Sequence, residues 1–600
     1  MLAIFPLFLI LGLFLPGFFI AKYLRHPLWW ASAFTISLLI LFHSIFWLGV
    51  SGIPIKLGTL LPILLAASAI AAWVQRKFSR PVVQDPASSP DTQDRILLLL
   101  SGLVGAVLLV HSAIAPTMGG DTPFRWDFLA RQLLAFGKFN FYPPLAPADF
   151  RAYFFVDGIP PLVSFTHWWL YAAAGRYLPS LTSVFVAAQF ACTLAFTYGA
   201  ASAVFSRRAG VLAAAMLAAS PLYFRSVVIG QETGLTALSI AATIYFVVIA
   251  RQTGDLPAMV SAGLAAALCA LSREYGWIAL IVGTIALLWR RHPLKQVIVF
   301  GAVATAAAAP WYVRNWVLTG NPFYSLKFLS FTVNPVHDSI MRYYSASLGI
   351  AHWTASNWAS LLFVLLVFAT FQLIAGLPGG LTRLRSHGYL LVIALLLTGV
   401  WILSAGYTSG GVLASTRVLS PALVVLSITA AGLLEPLTHR APWRKAVGIA
   451  VAAGLIWTAA QGAIYPKDPF SLPPGQWLAN AFPHIDQPAE FQIRDQLVRL
   501  LPAGYRVLSD SAYLHAALAG TGIEVVPVWS PEVRFIFSTA PDEAERQLRA
   551  LRIRSVVVYP LTMNMTYLSA VSPFYAALPE RWRPLAQVGD FLFVLAPKNP

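Results

Sequence analysis

The chain has 600 residues, of which 58% are hydrophobic and 11% charged, with a mean hydropathy of +0.69. A soluble globular chain carries about a quarter charged residues, so this composition excludes a soluble protein and describes an integral-membrane one. The net charge of +17 invites a nucleic-acid partner, but the basic residues fall in short loops between apolar stretches, where they orient a chain in its bilayer, and no nucleic-acid partner is expected.

A spanning helix needs about 20 mostly apolar residues, and roughly fourteen stretches of that kind can be marked between residues 1 and 464. The first, residues 2–21, has no basic leader and no clear small-residue cleavage site, so it reads as a retained helix. Stretches at 30–50 and 57–74 follow, then a linker rich in Pro, Ser and Asp over 81–94. Basic groups at 22–26, 76–80, 207–208, 290–295, 383–387 and 439–445 occupy every second loop. Those loops are predicted to be cytoplasmic, and the loops 115–157, 223–233, 311–353 and 407–417 to face outward. Cys192 and Cys269 both sit in apolar segments, which indicates neither a disulfide framework nor a thiolate zinc site.

The first outward loop carries the strongest signal. Directly after the apolar segment 96–114 comes Gly119-Gly120-Asp121-Thr122-Pro123-Phe124-Arg125-Trp126-Asp127, a carboxylate and charges just outside a bilayer-length helix, as expected of an enzyme at the water–lipid boundary. Asp121 beside Pro123 equally suits a helix cap. Helical spacing over 124–136 puts Trp126, Leu129, Leu133 and Phe136 on one side and Arg125, Asp127, Arg131 and Gln132 on the other, which predicts a helix in the interface plane with arginines toward headgroups. Lys138 ends it. The loop continues through Tyr142-Pro143-Pro144 and Tyr153 to Gly158-Ile159-Pro160-Pro161, and the aromatic run 162–171 reads as a re-entrant helix, because a full crossing there would break the alternation at Arg207-Arg208.

In the second outward loop Arg225 precedes Glu232 at the mouth of the next helix. An acid costs several kcal/mol at mid-bilayer, so Glu232 faces water, a partner or a substrate, or caps its helix. Arg273-Glu274 breaks an apolar hairpin at its outer end, where the two charges can pair. The third loop opens on Trp311-Tyr312-Val313-Arg314-Asn315 and runs to Asn321-Pro322-Phe323-Tyr324. Arg314 there is either a bidentate phosphate ligand or an interfacial anchor. His111, His167, His337 and His352 fit no metal-ligand spacing and read as core or interfacial residues. Asn564-Met565-Thr566 matches a glycosylation acceptor pattern at a near-chance frequency.

Beyond residue 465 the charges return. Short apolar runs at 506–508, 524–528, 555–559 and 591–596 read as strands, and 541–551 as a helix with Asp542 and Glu543 in its first turn. Three regions are therefore expected: N-terminal helices with a linker (1–95), a helical core (96–464), and a small α/β domain (465–600). The fold class is an all-α polytopic membrane protein with a C-terminal α/β appendage.

In order and spacing, Asp121, the Tyr-Pro-Pro and Pro-Pro elements, Arg225 with Glu232, Leu271-Ser272-Arg273, the Trp-Tyr-x-Arg-Asn to Gly-Asn-Pro-Phe-Tyr block, and Arg417 before Pro421 resemble the GT-C superfamily of integral-membrane glycosyltransferases, which contains the protein O-mannosyltransferases and the lipid A aminoarabinose transferases. The likeness runs over about 96–421. The mannosyltransferases carry two adjacent acids in the first loop, whereas Thr122 follows Asp121 here, so a second acid comes from Asp127, from Glu232, or from nowhere. What the resemblance implies is a GT-C-like catalytic core moving a sugar from a polyprenyl-phosphate donor to a glycan, lipid or protein acceptor among membrane lipids. Asp121 and Glu232 would be catalytic, with Asp121 removing the acceptor proton. Arg225, Arg273, Arg314, Arg417 and Lys138 would offset charge on the leaving phosphate. Asp127, Tyr142, Tyr153 and Tyr324 would line the substrate loop. No cofactor is required; a divalent cation is left open. The abundance of Ala and of Arg over Lys suggests a GC-rich bacterial genome, hence an inner-membrane location with the catalytic loops and the tail outside.

A secondary transporter or lipid flippase is the alternative. Transporters place charged sites near the midplane and show repeated halves; here charges gather at outer helix ends and no repeat is visible. The chain also lacks a phosphate-binding Gly-x-x-x-x-Gly-Lys-Ser/Thr loop, which argues against an ATP-driven pump.

Overall fold

In the computed structural model the described residues are 5–24, 28–78, 91–116, 122–138, 158–290, 294–324, 326–327, 329–331, 333–408, 411–464, 486, 489–501, 503–510, 514–558, 562–588 and 592–598. Among them, ten helices are long and apolar enough to cross a membrane, from Phe5–Tyr23 to Ala441–Ile464, or twelve if each of two bent pairs counts as one span. That is fewer than the fourteen stretches marked on sequence. The apolar helices Leu256–Ser272 and Glu274–Leu288 are shorter than a full span. They form a hairpin packed beside Glu232–Thr253, the most enclosed long helix.

Burial separates the helices that face lipid from those that face protein. Leu57–Phe78 and Leu294–Thr319 show most of their length outward, and residues such as Leu99, Val317 and Leu403 are about three-quarters exposed. Apolar side chains at such positions are stable only against hydrocarbon, because lipid tails replace protein contacts there. The segment Leu162–Ala174 is buried along its whole length; at 1.5 Å per residue it reaches roughly 20 Å, short of a bilayer core of about 30 Å.

One span is broken. Arg207–Ala218 and Pro221–Val228 meet at 66°, where Ser220 caps the second piece by accepting from Tyr223 N at 3.3 Å and donates to Phe368 O at 2.7 Å. Pro221 suits this first helical position because its missing N–H would have no partner there anyway. The short second piece carries Arg225 and leads into Gly230, whose φ of 65° makes the turn into Glu232.

The basic loops collect at one end of the body. Arg208 there donates to Asp94 (2.7 Å), Asp91 (3.3 Å), Gln93 (2.6 Å) and Thr438 (3.0 Å). Arg444 reaches Asp91 as well, and Gln93 Nε2 donates to Arg444 O at 2.9 Å. The loops read as outward meet at the other end, where the C-terminal domain also sits.

That domain holds a five-stranded sheet of β1 (Arg506–Ser509), β2 (Glu524–Pro527), β3 (Ile553–Val558), β4 (Trp582–Val588) and β5 (Leu592–Pro597) in the order β2-β1-β3-β5-β4. β1 pairs in parallel with β2 and β3, while β5 runs antiparallel to β3 and β4. Pro541–Ala550 is the helix expected from its charge pattern. β4 lacks alternation, with Arg583, Pro584 and Gln587 along it, and sequence reading passed it over. It is an edge strand, where Pro is tolerated. The domain docks through Asp486, which accepts from Ser180 N (2.7 Å) and Ser180 Oγ (2.9 Å), and through His515, stacked on Phe136 at 4.3 Å.

Candidate active site

Asp121, Tyr142 and Tyr153 lie outside the described residues. The chain is described again from Thr122, whose hydroxyl donates to Ile229 O at 3.3 Å and accepts from Gln231 Nε2 at 3.0 Å. This pins the residue after Asp121 to the one before Glu232. Glu232 opens its helix, where unpaired backbone N–H groups favour a carboxylate, and it is buried, with 3% of its surface exposed. Its Oε1 lies 3.5 Å from Arg273 Nη1, while Oε2 accepts no hydrogen bond among the described residues.

Arg273 sits in the joint between Leu256–Ser272 and the 3₁₀ turn Glu274–Trp277. Its Nε pairs with Glu274 Oε2 at 3.1 Å, and its guanidinium lies 5.8 Å from the Trp126 ring. His337, in the first turn of Pro335–Leu348, roofs this group; Asn334 caps that helix by accepting from His337 N at 2.9 Å. Burial, with the positive charges of Arg125 and Arg273 beside it, pushes the His337 imidazole down to about 3. It is neutral and adds no charge to the cluster.

The helix Asp127–Phe136 differs from its expectation. Asp127, Arg131 and Gln132 are buried rather than turned toward headgroups. Asp127 Oδ1 accepts from the Tyr171 hydroxyl at 2.5 Å and Oδ2 from the Tyr177 hydroxyl at 2.8 Å, and Oδ2 is ion-paired with Arg131 Nε at 3.0 Å. Burial pushes the Asp127 carboxyl up, against the opposing pull of Arg131 and the two phenols. The polar face is satisfied from the re-entrant segment and the loop after it, so helix periodicity could show that the face is polar but not what covers it. Both Asp127 oxygens are taken, and among the described acids of these loops Glu232 keeps an oxygen open.

The Trp-Tyr-x-Arg-Asn block forms the last turns of the continuous helix Leu294–Thr319, with Pro310 inside it, rather than the start of a loop. It grips the first loop: Trp311 Nε1 (3.0 Å) and Asn315 Nδ2 (2.7 Å) both donate to Gly158 O. Tyr324 is buried against Gly158, at a position where a Cβ would collide with its ring. Tyr324 thus packs the loop. Arg314 lies over the Trp311 ring at 4.8 Å and donates to Asn315 Oδ1 at 3.3 Å. Arg225 lies over Phe368 at 4.8 Å and reaches Gln461 at 3.4 Å. Arg417 is half-buried in the 3₁₀ turn Thr416–Leu419, and Lys138 is exposed after Gly137, which accepts from Ile55 N at 2.8 Å.

The structure therefore brings Glu232 and Arg273 together, beside Thr122 and Trp126. It sets Arg225, Arg314, Tyr324 and Lys138 in surroundings of their own. Sequence reading treated Trp126 as part of an apolar face, Arg125 as an anchor and His337 as a core residue; only the proximity of three separate loops unites them. Among the described residues no group of three or more His, Cys, Asp or Glu side chains could hold a metal ion. Among the described residues the acids of this cluster, Glu232 and Glu274, are both paired with Arg273.

Residues 159–313 match the family model described as dolichyl-phosphate-mannose-protein mannosyltransferase, a segment that includes Glu232, Arg273 and Glu274. No curated protein matches the chain. Among solved structures, ArnT from Cupriavidus metallidurans bound to undecaprenyl phosphate aligns at 14% identity over 84% of this chain and 98% of that one, with a TM-score of 0.50. An oligosaccharyltransferase from Archaeoglobus fulgidus, in complex with Zn and sulfate, aligns at 14% identity over 84% of this chain and 73% of that one, with a TM-score of 0.49. The chain is an integral-membrane protein whose fold is similar to that of the ArnT structure.

Proposed function

We propose that this protein is a membrane glycosyltransferase that moves a sugar from a polyprenyl-phosphate-linked donor to a glycan, lipid or protein acceptor at the outer face of the bacterial inner membrane. The observation that carries this reading is Glu232: a buried carboxylate with one oxygen that accepts no hydrogen bond among the described residues, beside a guanidinium, where the loops of a GT-C-like body converge. A buried acceptor atom left unpaired costs about 1–3 kcal/mol, and an acceptor hydroxyl would satisfy it. In the transfer, the bond from the anomeric carbon to the donor phosphate oxygen breaks and a bond from the acceptor oxygen to that carbon forms. The acceptor proton passes to the carboxylate, and the departing phosphate keeps the electron pair. Glu232 takes the proton in this assignment, and Asp121, one residue before the Thr122 tether, completes the acidic pair. Arg273, with Arg125 close by, is positioned to offset charge on the leaving phosphate. Arg225, Arg314, Arg417 and Lys138 serve the donor more remotely, and Asp127 and Tyr324 hold the loop. A divalent cation, if used, would draw on Asp121.

The transporter alternative is not favoured, because the described carboxylates cluster at the two ends of the body rather than at its midplane. The domains of this reading are 1–95, 96–464 and 465–600, the last outside the cell. Single cysteines at Ser89 and Ser511 would then label from opposite sides, Ser511 from outside; labelling of both from one side would overturn the sidedness. Mass spectrometry of surface glycans and lipid-linked intermediates in a strain lacking the protein would show the donor accumulating and one glycan species losing a sugar. An unchanged profile of both would overturn the activity.

A further inference from the structure

We infer that Glu274 is a positioning residue that draws Arg273 away from Glu232 and so keeps Glu232 Oε2 open to the acceptor; this rests on the reading of Glu232 as the proton-accepting group. A guanidinium can serve one carboxylate with two parallel hydrogen bonds, and a carboxylate bound in that way has both oxygens filled. Arg273 does not do this. Its Nε pairs with Glu274 Oε2 at 3.1 Å, the nearer contact, while Nη1 donates a long hydrogen bond to Glu232 Oε1 alone at 3.5 Å and leaves Oε2 unused among the described residues. Both acids are buried, with side chains 3% and 4% exposed, whereas Arg273 is 22% exposed. The divided guanidinium is therefore the accessible member, between two acids that solvent does not screen.

The Trp126 ring backs the guanidinium at 5.8 Å, a cation–π contact that restrains the head group. Tyr275 faces both Glu232 and Arg273, and Tyr312 faces Glu274. Arg125 and Arg273 both act on the buried His337. Thr122 and Gln231 close the approach from the first loop, and Asp121, the charged residue next in the chain, lies outside the described residues. Among the described acids, Glu274 competes with Glu232 for the guanidinium fork. Removing its charge frees Arg273 to bind Glu232 through both oxygens, and hydrogen bonds to the charged form of an acid make it a weaker base. The same rotation withdraws Arg273 from the side on which a phosphate would meet it.

The test uses full-length protein in proteoliposomes of phosphatidylethanolamine and phosphatidylglycerol, with a polyprenyl-phosphate sugar as donor, and reads folded amount, KM for donor, and the pH profile of kcat/KM. Glu274→Gln is expected to lower kcat/KM about tenfold and to move the acid limb of the profile about one pH unit lower, the direction that stabilisation of an ionised Glu232 dictates. Glu274→Asp should restore most of the rate and return the limb toward its original place. An acid limb that stays put in Glu274→Gln overturns the inference whether or not the rate falls, since a merely structural role lowers the folded amount without moving a titration. If Glu274→Gln fails to fold, Glu274→Ala decides: a limb displaced in the same direction supports the inference and an unmoved one overturns it. Glu232→Gln is measured alongside. Full activity in that variant removes the base reading itself, whereas an inactive Glu232→Gln with an unmoved Glu274→Gln profile removes only the positioning role.

Discussion

Two buried charge clusters cap the helical body, and they are built on opposite plans. At the basic end every nitrogen of Arg208 is used, against Asp91, Asp94, Gln93 and Thr438, and Arg444 closes the ring from another helix. Gly448 makes room for Gln93 at its centre, since a Cβ there would collide with the amide. At the opposite end Arg273 is divided between two acids and one oxygen of Glu232 is left over. A saturated cluster fastens helices; an unsaturated one stores a polar valence that a substrate can fill. Buried polar groups are otherwise paired with few exceptions, so the difference between the ends separates a latch from a site.

The sharpest way to break this contrast is to neutralise the open carboxylate. Glu232→Gln keeps the shape and removes the base, and a positioned general base contributes about 10²–10⁴ in rate. Transfer per folded molecule should fall by that range, with membrane insertion and thermal stability unchanged; Asp121→Asn should behave alike. Retention of a tenth or more of the activity in Glu232→Gln would leave the open oxygen without a catalytic meaning.

The latch should respond in reverse. Arg208→Met leaves Asp94 buried without its cation, and breaking a buried pair costs about 3–5 kcal/mol, reduced here because Asp91 and Arg444 remain partly exposed. A fall in melting temperature and in folded yield is expected, with donor turnover per folded molecule near that of the parent. Loss of specific activity at unchanged stability would mean that the two ends are coupled.

How much of this was legible beforehand differs between the ends for a physical reason. Apolar runs are local, and they marked the long apolar helices, the short helix Leu162–Ala174 and most strands of the tail. Glu232 and Arg273 were recognisable as expensive charges at helix mouths. The adjacent charges of Arg273 and Glu274 already suggested a pair, but the sharing of Arg273 with Glu232 was not legible, because it depends on a 3.5 Å contact between residues 41 apart in the chain. Asp127 shows the limit most clearly. Its own helix marks it as polar and outward, and Tyr171 and Tyr177, some 44 and 50 residues later, turn it into a buried anchor. β4 was passed over because an edge strand needs no alternation.

Arg314 tests a residue between the two plans, half-buried over Trp311 in the helix that grips Gly158. If it contacts donor phosphate, Ala removes a charge-assisted hydrogen bond worth roughly 1.5–3 kcal/mol, about a ten- to hundredfold loss in kcat/KM, and Lys recovers part of it for want of the fork. If it only braces the Trp311 clamp, Ala lowers folded amount and Lys restores it, with turnover equal across the series.

The smallest effect expected is at the seam between the body and the C-terminal domain. His515 stacks on Phe136 and its Nδ1 stands 3.3 Å from Gln132 Oε1. Burial pushes its imidazole down to about 4. A histidine held neutral in this way contributes its full stability above its unfolded value near 6.5 and loses it as pH falls toward 4, at most about 1.4 kcal/mol per pH unit. Docking should therefore loosen between pH 6.5 and 4, read as faster proteolytic release of the domain from proteoliposomes. His515→Phe keeps the aromatic stack and removes the titration, so its release rate should stay flat over that range. If parent and variant loosen together, the acid sensitivity belongs to another contact, and the seam is fastened by Asp486 on Ser180 rather than by the ring stack.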